Sequence, residues 1–298
     1  MPSISTRFAK LSTSVSSAVR RKVDCWRRGE VKRVVIFDKD GTLINIHTQW
    51  APWIRNVVAS IEAKTDLTIS TQAFSELSFD DETGKVLPGI LGEGTMEMIK
   101  DCLSSILQKE GAISRSEADQ VVDACLEECS SLKSGVIQPI GDVGELFRRL
   151  KRRGYQIAIN TSDSREVTLR TLHLLGVSQL VDAVVCGDDD WMIVKPHPVS
   201  AFTICAGLGV QPKNAVMIGD SPCDVQLGTN AKLGCAIGVL TGIAPRKALE
   251  ADGHLVVQDV IEAVDLILSN TDLKQTSKSA STPCTQQCPV VLPQTLQC

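Results

Sequence analysis

The ten residues Val34–Leu43 constrain the fold of this chain more than any other stretch, and they spell Val-Val-Ile-Phe-Asp-Lys-Asp-Gly-Thr-Leu. The apolar run at their start indicates a strand that is buried on both faces, as strands of parallel sheets are. Two aspartates one residue apart end this strand, and a glycine follows directly. Parallel sheets bind ligands at their carboxyl edge, so the two carboxylates are candidates for a functional site.

Asp38 and Asp40 also create an electrostatic problem. Side chains alternate along an extended strand, so the two carboxylates would point to the same side. Neighbouring carboxylates repel each other unless a cation or a shared proton compensates them. One aspartate could then serve as a nucleophile and the other as a proton donor, with a metal ion relieving the repulsion. A strand-to-loop turn in which Asp and Gly are only turn residues fits the same stretch.

Composition narrows the class of protein. The 298 residues are 43% hydrophobic, enough for one large domain or two with a sizeable core. A net charge of −4 gives no overall attraction to nucleic acid or to anionic membranes, and no apolar run reaches the length of a membrane span. The close cysteine pairs Cys125/Cys129 and Cys284/Cys288 lack further ligands nearby, so free thiols are predicted rather than a structural zinc site.

The two ends of the chain differ from the middle. Residues 1–30 are basic and rich in serine, and no acidic residue precedes Asp24, which is typical of a mitochondrial transit peptide. An N-terminal tail without fixed structure fits the same composition, so the expected location is cytoplasmic or mitochondrial. Residues 270–298 are rich in Ser, Thr, Gln and Pro and are predicted to be disordered.

Periodicity predicts two units between these ends. Residues 47–135 show apolar residues at helical spacing and are predicted to form an all-helical domain. Its predicted helices span residues 50–64, 95–109 and 115–132. Residues 31–46 and 136–269 alternate between strands and helices, which predicts an α/β fold, a doubly wound Rossmann-like parallel sheet into which the helical unit is inserted. Its predicted strands span residues 31–37, 155–160, 183–186, 215–218 and 235–239.

Three more polar segments follow predicted strands of this sheet. In Asn160–Ser164, hydroxyl groups at a helix start suit either phosphate oxygens or helix capping. In Val194–Pro198, Lys195 is a compact cation. In Ile218–Asp224, two aspartates offer the oxygen ligands that Mg²⁺ prefers. Capping of the following helix would account for Asp224 but leaves Asp220 unexplained.

The order of these segments resembles the four motifs of the haloacid dehalogenase superfamily. Those motifs are Asp-x-Asp-Gly-Thr, a strand-end threonine, Lys-Pro and Gly-Asp-x-x-x-Asp, and the resemblance covers residues 31–265. The helical insertion after the first motif is similar to the superfamily's C1-type cap. Residues 79–89 resemble, more loosely, a cap segment of phosphoglycolate-phosphatase-like members.

The resemblance implies a Mg²⁺-dependent phosphatase that hydrolyses a small phosphorylated metabolite, phosphoglycolate-like compounds included, through an aspartyl-phosphate. Asp38 would be the nucleophile and Asp40 the general acid and base. The residues implied to bind the phosphoryl group are Thr161, Ser162, Lys195 and Gly41, the glycine and the serine through their backbone N–H groups. The implied metal ligands are Asp38, Asp40 through its carbonyl oxygen, Asp220 and Asp224.

Two alternatives stay open. A phosphomutase of the same superfamily would share all four motifs. A non-catalytic binding protein with this fold would be expected to lack one of the motif residues, whereas this chain keeps Asp38, Asp40, Lys195 and Asp220. Enzymes of the superfamily that attack carbon lack the second aspartate and the metal site, so they fit less well. The sequence does not predict the oligomeric state.

Substrate choice is predicted to lie in the cap. The candidates are His47, Gln49, Trp50 and Trp53, for which packing between helices is the simpler explanation, and the loop 83–94. Lys39, between the two aspartates, is predicted to point away from them and to be exposed.

Overall fold

The computed structural model of the protein describes residues 32–111, 113–130, 137–190, 192–251 and 254–272. The predicted N-terminal segment lies outside these ranges, as does the predicted C-terminal tail beyond residue 272. Within the described ranges, no helix has both the length and the apolar composition that crossing a bilayer requires.

A parallel sheet forms the centre of the structure. The strands of the described chain are β1 (Arg33–Phe37), β2 (Phe79–Asp80), β3 (Lys85–Val86), β4 (Tyr155–Asn160), β5 (Ala183–Val185), β6 (Ala215–Gly219), β7 (Cys235–Val239) and β8 (Leu255–Val257). Six of them form one sheet in the order β5-β4-β1-β6-β7-β8, and every pair in it is parallel. The predicted fold class is confirmed. The sixth strand, β8, was not predicted; it is three residues long and lies at the edge of the sheet.

β1 lies at the middle of this sheet, as its apolar sequence predicts. Val35 pairs in register with Ile157 on one side and with Val216 on the other. Alternate side chains of β1 enter different apolar clusters, Val35 and Phe37 on one face of the sheet and Val34 and Ile36 on the other. All of these side chains are fully buried.

Helices cover both faces of the sheet. The helices of the described chain are α1 (Ile46–Thr65), α2 (Ser70–Glu76), α3 (Ile90–Glu93), α4 (Met96–Gly111), α5 (Arg115–Ser130), α6 (Val143–Arg152), α7 (Arg165–Leu174), α8 (Val199–Leu208), α9 (Pro222–Asn230), α10 (Arg246–Leu249) and α11 (Val260–Asp272). α6 and α11 pack on the face that contains Phe37, and α8 and α9 pack on the opposite face. The arrangement is doubly wound. The residues that follow the strands and the first residues of the next helices therefore meet at the carboxyl edge of the sheet.

α1 to α5 form the insertion after β1, together with the antiparallel β2–β3 hairpin. They share an apolar cluster of their own, centred on buried residues such as Trp53, Ile54 and Leu103. This separate cluster supports the predicted boundaries of the helical unit, 47–135, which remain a proposal. α1 begins four residues earlier than predicted, because the Asn45 side chain accepts the backbone N–H groups of His47 and Thr48.

The chain enters and leaves the insertion through two adjacent segments. The N–H of Asn45 donates to the carbonyl of Gln138 at 2.8 Å, and the N–H of Ile140 donates to the carbonyl of Leu43 at 2.9 Å. Ile44 and Pro139 form an antiparallel bridge between the same segments. The two crossings are therefore tied together by backbone hydrogen bonds.

Phe147 of α6 tests how much the sheet depends on this packing. Its ring is fully buried and lies 5.2 Å, centroid to centroid, from the ring of Phe37. We expect Phe147→Ala to lower the free energy of unfolding by about 3–5 kcal/mol, because the change removes buried surface and leaves a cavity. Urea denaturation measures this. Phe202→Ala, at a ring that is 44% exposed, is the control and should lower the free energy of unfolding by well under half as much. Equal losses in the two variants would contradict the assignment of Phe147 to the core.

Candidate active site

The motif residues meet at the carboxyl edge of the sheet. Asp38 follows β1, Thr161 follows β4 and Asp220 follows β6, and these three strands are neighbours in the sheet. The sheet side of the resulting pocket consists of Asp38, Asp40, Thr161, Ser162, Asp163, Lys195, Asp220, Ser221, Cys223 and Asp224. The insertion contributes Ile46, Trp50, Leu91, Gly92, Glu93 and Gly94. The pocket thus lies between the sheet edge and the helical insertion.

Lys195 connects two of the carboxylates. Its Nζ lies 2.7 Å from Oδ1 of Asp38 and 2.7 Å from Oδ1 of Asp224, and its side chain is almost fully buried. Burial lowers the pKa of Lys195, but Asp224 and Asp38 outweigh this effect and raise the pKa overall. The ammonium group therefore stays charged and is fixed at the point where it offsets the nucleophile candidate.

Asp38, Asp220 and Asp224 form a buried acidic cluster in which one carboxylate oxygen from each lies within 4.8 Å of the others. Burial raises the pKa of Asp38 to about 7, although Lys195 acts in the opposite direction. Burial also raises the pKa of Asp220 well above its ordinary value, and the charges of Asp38 and Asp224 add to the shift. Ionised carboxylates this close need a cation, and three buried oxygen donors suit a divalent one such as Mg²⁺.

The backbone around Asp220 is shaped to admit its carboxylate. Oδ2 accepts the N–H of Ile243 at 2.9 Å, and the side chain of Ile243 packs in the apolar cluster of the insertion. A Cβ atom at Gly41 or at Gly242 would overlap the Asp220 carboxylate, and Gly41 has a φ of +84° that also favours glycine. Only residues without a side chain fit at these two positions.

One predicted phosphate contact is wrong. The N–H of Gly41 donates to the carbonyl of Ile44 at 2.7 Å and so closes the turn after β1 instead of facing the pocket. The reason for glycine at this position is the space that Asp220 occupies. The other predicted phosphate-binding residues, Thr161, Ser162 and Lys195, do line the pocket.

Asp224 caps the following helix, one of the two functions that the sequence suggested, whereas metal ligation stays a prediction. Its Oδ2 accepts the hydroxyl of Ser221 at 2.8 Å and the Ser221 N–H at 3.1 Å, which completes a capping box at the start of α9. Its Oδ1 accepts from Lys195. The helix cap therefore fixes the carboxylate in the orientation that the acidic cluster requires.

The prediction for Lys39 is wrong. The side chain is fully buried, and its Nζ lies 2.6 Å from Oδ2 of Asp40 and 3.0 Å from Oδ2 of Asp163. Burial lowers the pKa of Lys39, but Asp40 and Asp163 outweigh this and raise it overall. Asp163 follows the neighbouring strand β4, so the sequence places a carboxylate after each of two strands. This was the available signal that a cation would be needed between Asp163 and Asp40.

The segment after β4 also reaches the insertion. Thr161 Oγ1 accepts the N–H of Asp163 at 3.2 Å, and Ser162 Oγ donates to the backbone carbonyl of Glu93 at 3.1 Å. The carboxylate of Asp163 does not cap α7, because it accepts from Lys39 and from the N–H of Ser164. The hydroxyl groups of Thr161 and Ser162 are thus held at the mouth of the pocket.

Of the cap candidates, Trp50 and part of the loop 83–94 reach the pocket. His47 Nδ1 instead accepts the N–H of Val86 at 3.1 Å, and burial lowers the pKa of this histidine. Trp53 belongs to the apolar cluster of the insertion, and Gln49 is buried beside it in α1. Ile46 and Cys223 were not singled out from the sequence, since nothing in their local pattern marks a pocket, and Glu93 was predicted only as part of the loop 83–94.

Comparison with known proteins agrees with this geometry. Residues 32–232 match the family model for haloacid dehalogenase-like hydrolases. Curated relatives include the phosphoglycolate phosphatase of Agrobacterium fabrum, 23% identical over 76% of this chain and 88% of that protein. They also include a pyrophosphatase of Bacillus cereus, 28% identical over 79% of this chain and 96% of that protein.

Solved structures have the same fold. One is described as a predicted phosphoglycolate phosphatase from Haemophilus somnus, with a TM-score of 0.61 and 17% identity over 80% of this chain and 99% of that chain. Another is the β-phosphoglucomutase of Clostridium difficile, with a TM-score of 0.58 and 18% identity over 82% of this chain and 98% of that chain.

The fold and the pocket define an α/β protein with a helical insertion beside a pocket at the carboxyl edge of its sheet. The family match covers well over half of the chain, so the chain belongs to the haloacid dehalogenase-like hydrolases. The predicted family, and with it the enzyme class, is confirmed.

The raised pKa of Asp38 makes stability depend on pH. A carboxyl group whose folded-state pKa is about 7, against 3.8 ordinarily, favours the folded state at low pH, and this contribution is lost as the pH rises through 7. In buffer containing a chelator, we expect the melting temperature of the wild type, relative to that of Asp38→Asn, to fall between pH 5 and pH 8. Differential scanning calorimetry measures this difference, and a difference that is constant across the range would contradict the shift.

Proposed function

We propose that the protein is a Mg²⁺-dependent phosphatase that hydrolyses a small phosphomonoester through an aspartyl-phosphate on Asp38. The observation that supports this most is the position of Asp38, which follows β1, contacts Lys195 and lies in one buried cluster with the carboxylates of Asp220 and Asp224. An anionic nucleophile can approach an anionic phosphoryl group only where cations screen both charges. Phosphatases and pyrophosphatases among the relatives favour the same chemistry.

Asp38, Asp220 and Asp224 would hold the Mg²⁺, together with the backbone carbonyl of Asp40. When bound, the ion would supply charge screening and hold the phosphoryl oxygens. The chain prepares for it in two ways: Ser221 fixes Asp224, and the Ile243 N–H fixes Asp220. Burial and mutual repulsion raise the pKa values of Asp38 and Asp220. A cation at this place would offset both effects.

In the first step, a carboxylate oxygen of Asp38 bonds to phosphorus and the bond from phosphorus to the alcohol oxygen breaks. Asp40 gives its proton to the departing oxygen. In the second step, Asp40 takes a proton from water, the water oxygen bonds to phosphorus, and the bond from phosphorus to Asp38 breaks. This step frees the Asp38 carboxylate and releases inorganic phosphate. Lys195, Thr161 and Ser162 would bind the phosphoryl oxygens throughout, because all three line the pocket beside Asp38.

Lys39 prepares Asp40 for this task. It holds Oδ2 of Asp40 at 2.6 Å, whereas Oδ1 is buried and has no hydrogen-bond partner among the residues that the structure describes. A buried polar atom without a partner is costly, so its presence beside the nucleophile indicates that it acquires one when substrate binds. We assign the proton transfer to Oδ1.

Asp38→Asn tests the proposal directly. We expect the variant to lose release of inorganic phosphate from p-nitrophenyl phosphate, because the amide cannot form the aspartyl-phosphate. The wild type should lose the same activity in excess chelator and regain it on addition of Mg²⁺. Asp190→Asn, at an exposed aspartate outside the pocket, is the matched control and should keep full activity. Full activity in Asp38→Asn would overturn the assignment of the nucleophile, and phosphate transferred to a sugar instead of water would favour the mutase.

Asp40→Asn tests the acid and base. With an alkyl phosphate, we expect kcat to fall by about 10²–10⁴, the usual contribution of a positioned acid or base. With p-nitrophenyl phosphate the first step should be affected less, because p-nitrophenolate leaves without a proton. Rapid-mixing kinetics can measure the burst of p-nitrophenol separately from turnover. An unchanged kcat with both substrates would exclude this function for Asp40.

A further inference from the structure

Glu93 brings a negative charge from the insertion to the mouth of the pocket. It ends α3 and is half-buried. Its carboxylate takes a hydrogen bond from the Cys223 thiol, and its backbone carbonyl accepts from Ser162 Oγ at 3.1 Å. Both partners belong to the sheet side, so Glu93 is held above the place where the phosphoryl group would bind.

The charges around this pocket are unbalanced. Glu93 and five aspartates line it, whereas Lys195 is the only cationic side chain among the described residues that do so. Lys195 is already shared between Asp38 and Asp224, and Lys39 lies behind the pocket between Asp40 and Asp163. A divalent cation and one phosphoryl group would engage the aspartates. Glu93 would remain facing whatever the phosphoryl group is attached to.

The other side chains that the insertion contributes to the pocket are apolar. They belong to Ile46, Trp50 and Leu91, and they offer no cation. A carboxylate or a second phosphoryl group on the substrate would therefore meet Glu93 without a compensating charge. A hydroxyl or an ammonium group would instead find an acceptor.

We propose that Glu93 is a specificity-determining residue that selects small phosphomonoesters with a neutral or cationic alcohol, such as a polyol or an amino alcohol, over those with a second anionic group. The inference rests on the proposed function, since it assigns the leaving group of that same reaction. It separates this chain from relatives named for phosphoglycolate or pyrophosphate, both of which are anionic beyond the transferred group.

Three two-carbon phosphate esters test the inference, because they differ mainly in the charge at their far end. O-Phosphoethanolamine ends in an ammonium group, 2-hydroxyethyl phosphate in a hydroxyl and 2-phosphoglycolate in a carboxylate. For the wild type we expect kcat/KM to fall in that order, with about 10- to 100-fold between the first and the last, the size of a partly screened interaction between unit charges. Burial raises the pKa of Glu93, so the assay is run at pH 8 to favour the ionised carboxylate.

Glu93→Gln should reduce this spread to less than threefold, by lowering kcat/KM for phosphoethanolamine and raising it for phosphoglycolate. Glu97→Gln is the matched control: it removes the same charge from an exposed position in the first turn of α4 and should leave the order unchanged. Cys223→Ala removes the hydrogen bond to Glu93 but keeps the charge. If Glu93 acted only as a structural contact between the insertion and the sheet, Cys223→Ala and Glu93→Gln would lower all three values together.

The outcomes separate this inference from the proposed function. If p-nitrophenyl phosphate and all three esters are left intact in the presence of Mg²⁺, the proposed function fails. If p-nitrophenyl phosphate is hydrolysed and phosphoglycolate is the best of the three esters, the function stands and the assignment of Glu93 is overturned. The same holds if Glu93→Gln leaves the ratio between phosphoethanolamine and phosphoglycolate unchanged.

Discussion

Repulsion between buried carboxylates is the constraint on which this structure depends. Asp38, Asp220 and Asp224 converge at one edge of the sheet, and Lys195 bridges two of them. Removing one partner of such a network leaves an uncompensated buried charge, which is strongly destabilising. Lys39 bridges a second pair of carboxylates, those of Asp40 and Asp163, in the same manner. Each lysine joins carboxylates from two different strand ends, so the order of the strands and the balance of charge depend on each other.

The geometry of neighbouring strands turns this constraint into a site. β1 lies between β4 and β6, so the residues that follow these strands come together without any long connection. The tight glycine positions at 41 and 242 then admit the Asp220 carboxylate, and the cap of α9 orients Asp224. In the proposed function, the residues that would bind the phosphoryl group follow the strands of the sheet, whereas those that would meet the remainder of the substrate come from the insertion. This division explains why relatives that act on different phosphate compounds can share one fold.

Much of this was predictable from the sequence, for reasons that differ between residues. Buried parallel strands such as β1 and β4 are continuous apolar runs, and the polar residues at their ends stand out against them. Asp38, Asp40 and Asp220 were predicted in this way and Lys195 from the order of the motifs, and the structure brings all four to one pocket. Lys39 was not, because alternation along an extended strand assumes that the strand continues, whereas the chain turns at Asp40. The contacts of Glu93 with Ser162 and Cys223 join segments distant in sequence, and no local pattern encodes them.

The adjacent entry and exit of the insertion affect how this protein can change over evolutionary time. Because Leu43 and Ile140 are hydrogen-bonded neighbours, the sheet presents the insertion with two ends that already meet. The entropy of closing the intervening loop grows only slowly with its length, by about 0.6 kcal/mol for each doubling. A longer, shorter or unrelated segment can therefore replace the insertion at little cost to the sheet. In the proposed function, new substrate preferences would then arise by exchange of one module, as long as the new module keeps its contact with Ile243, whose N–H positions Asp220.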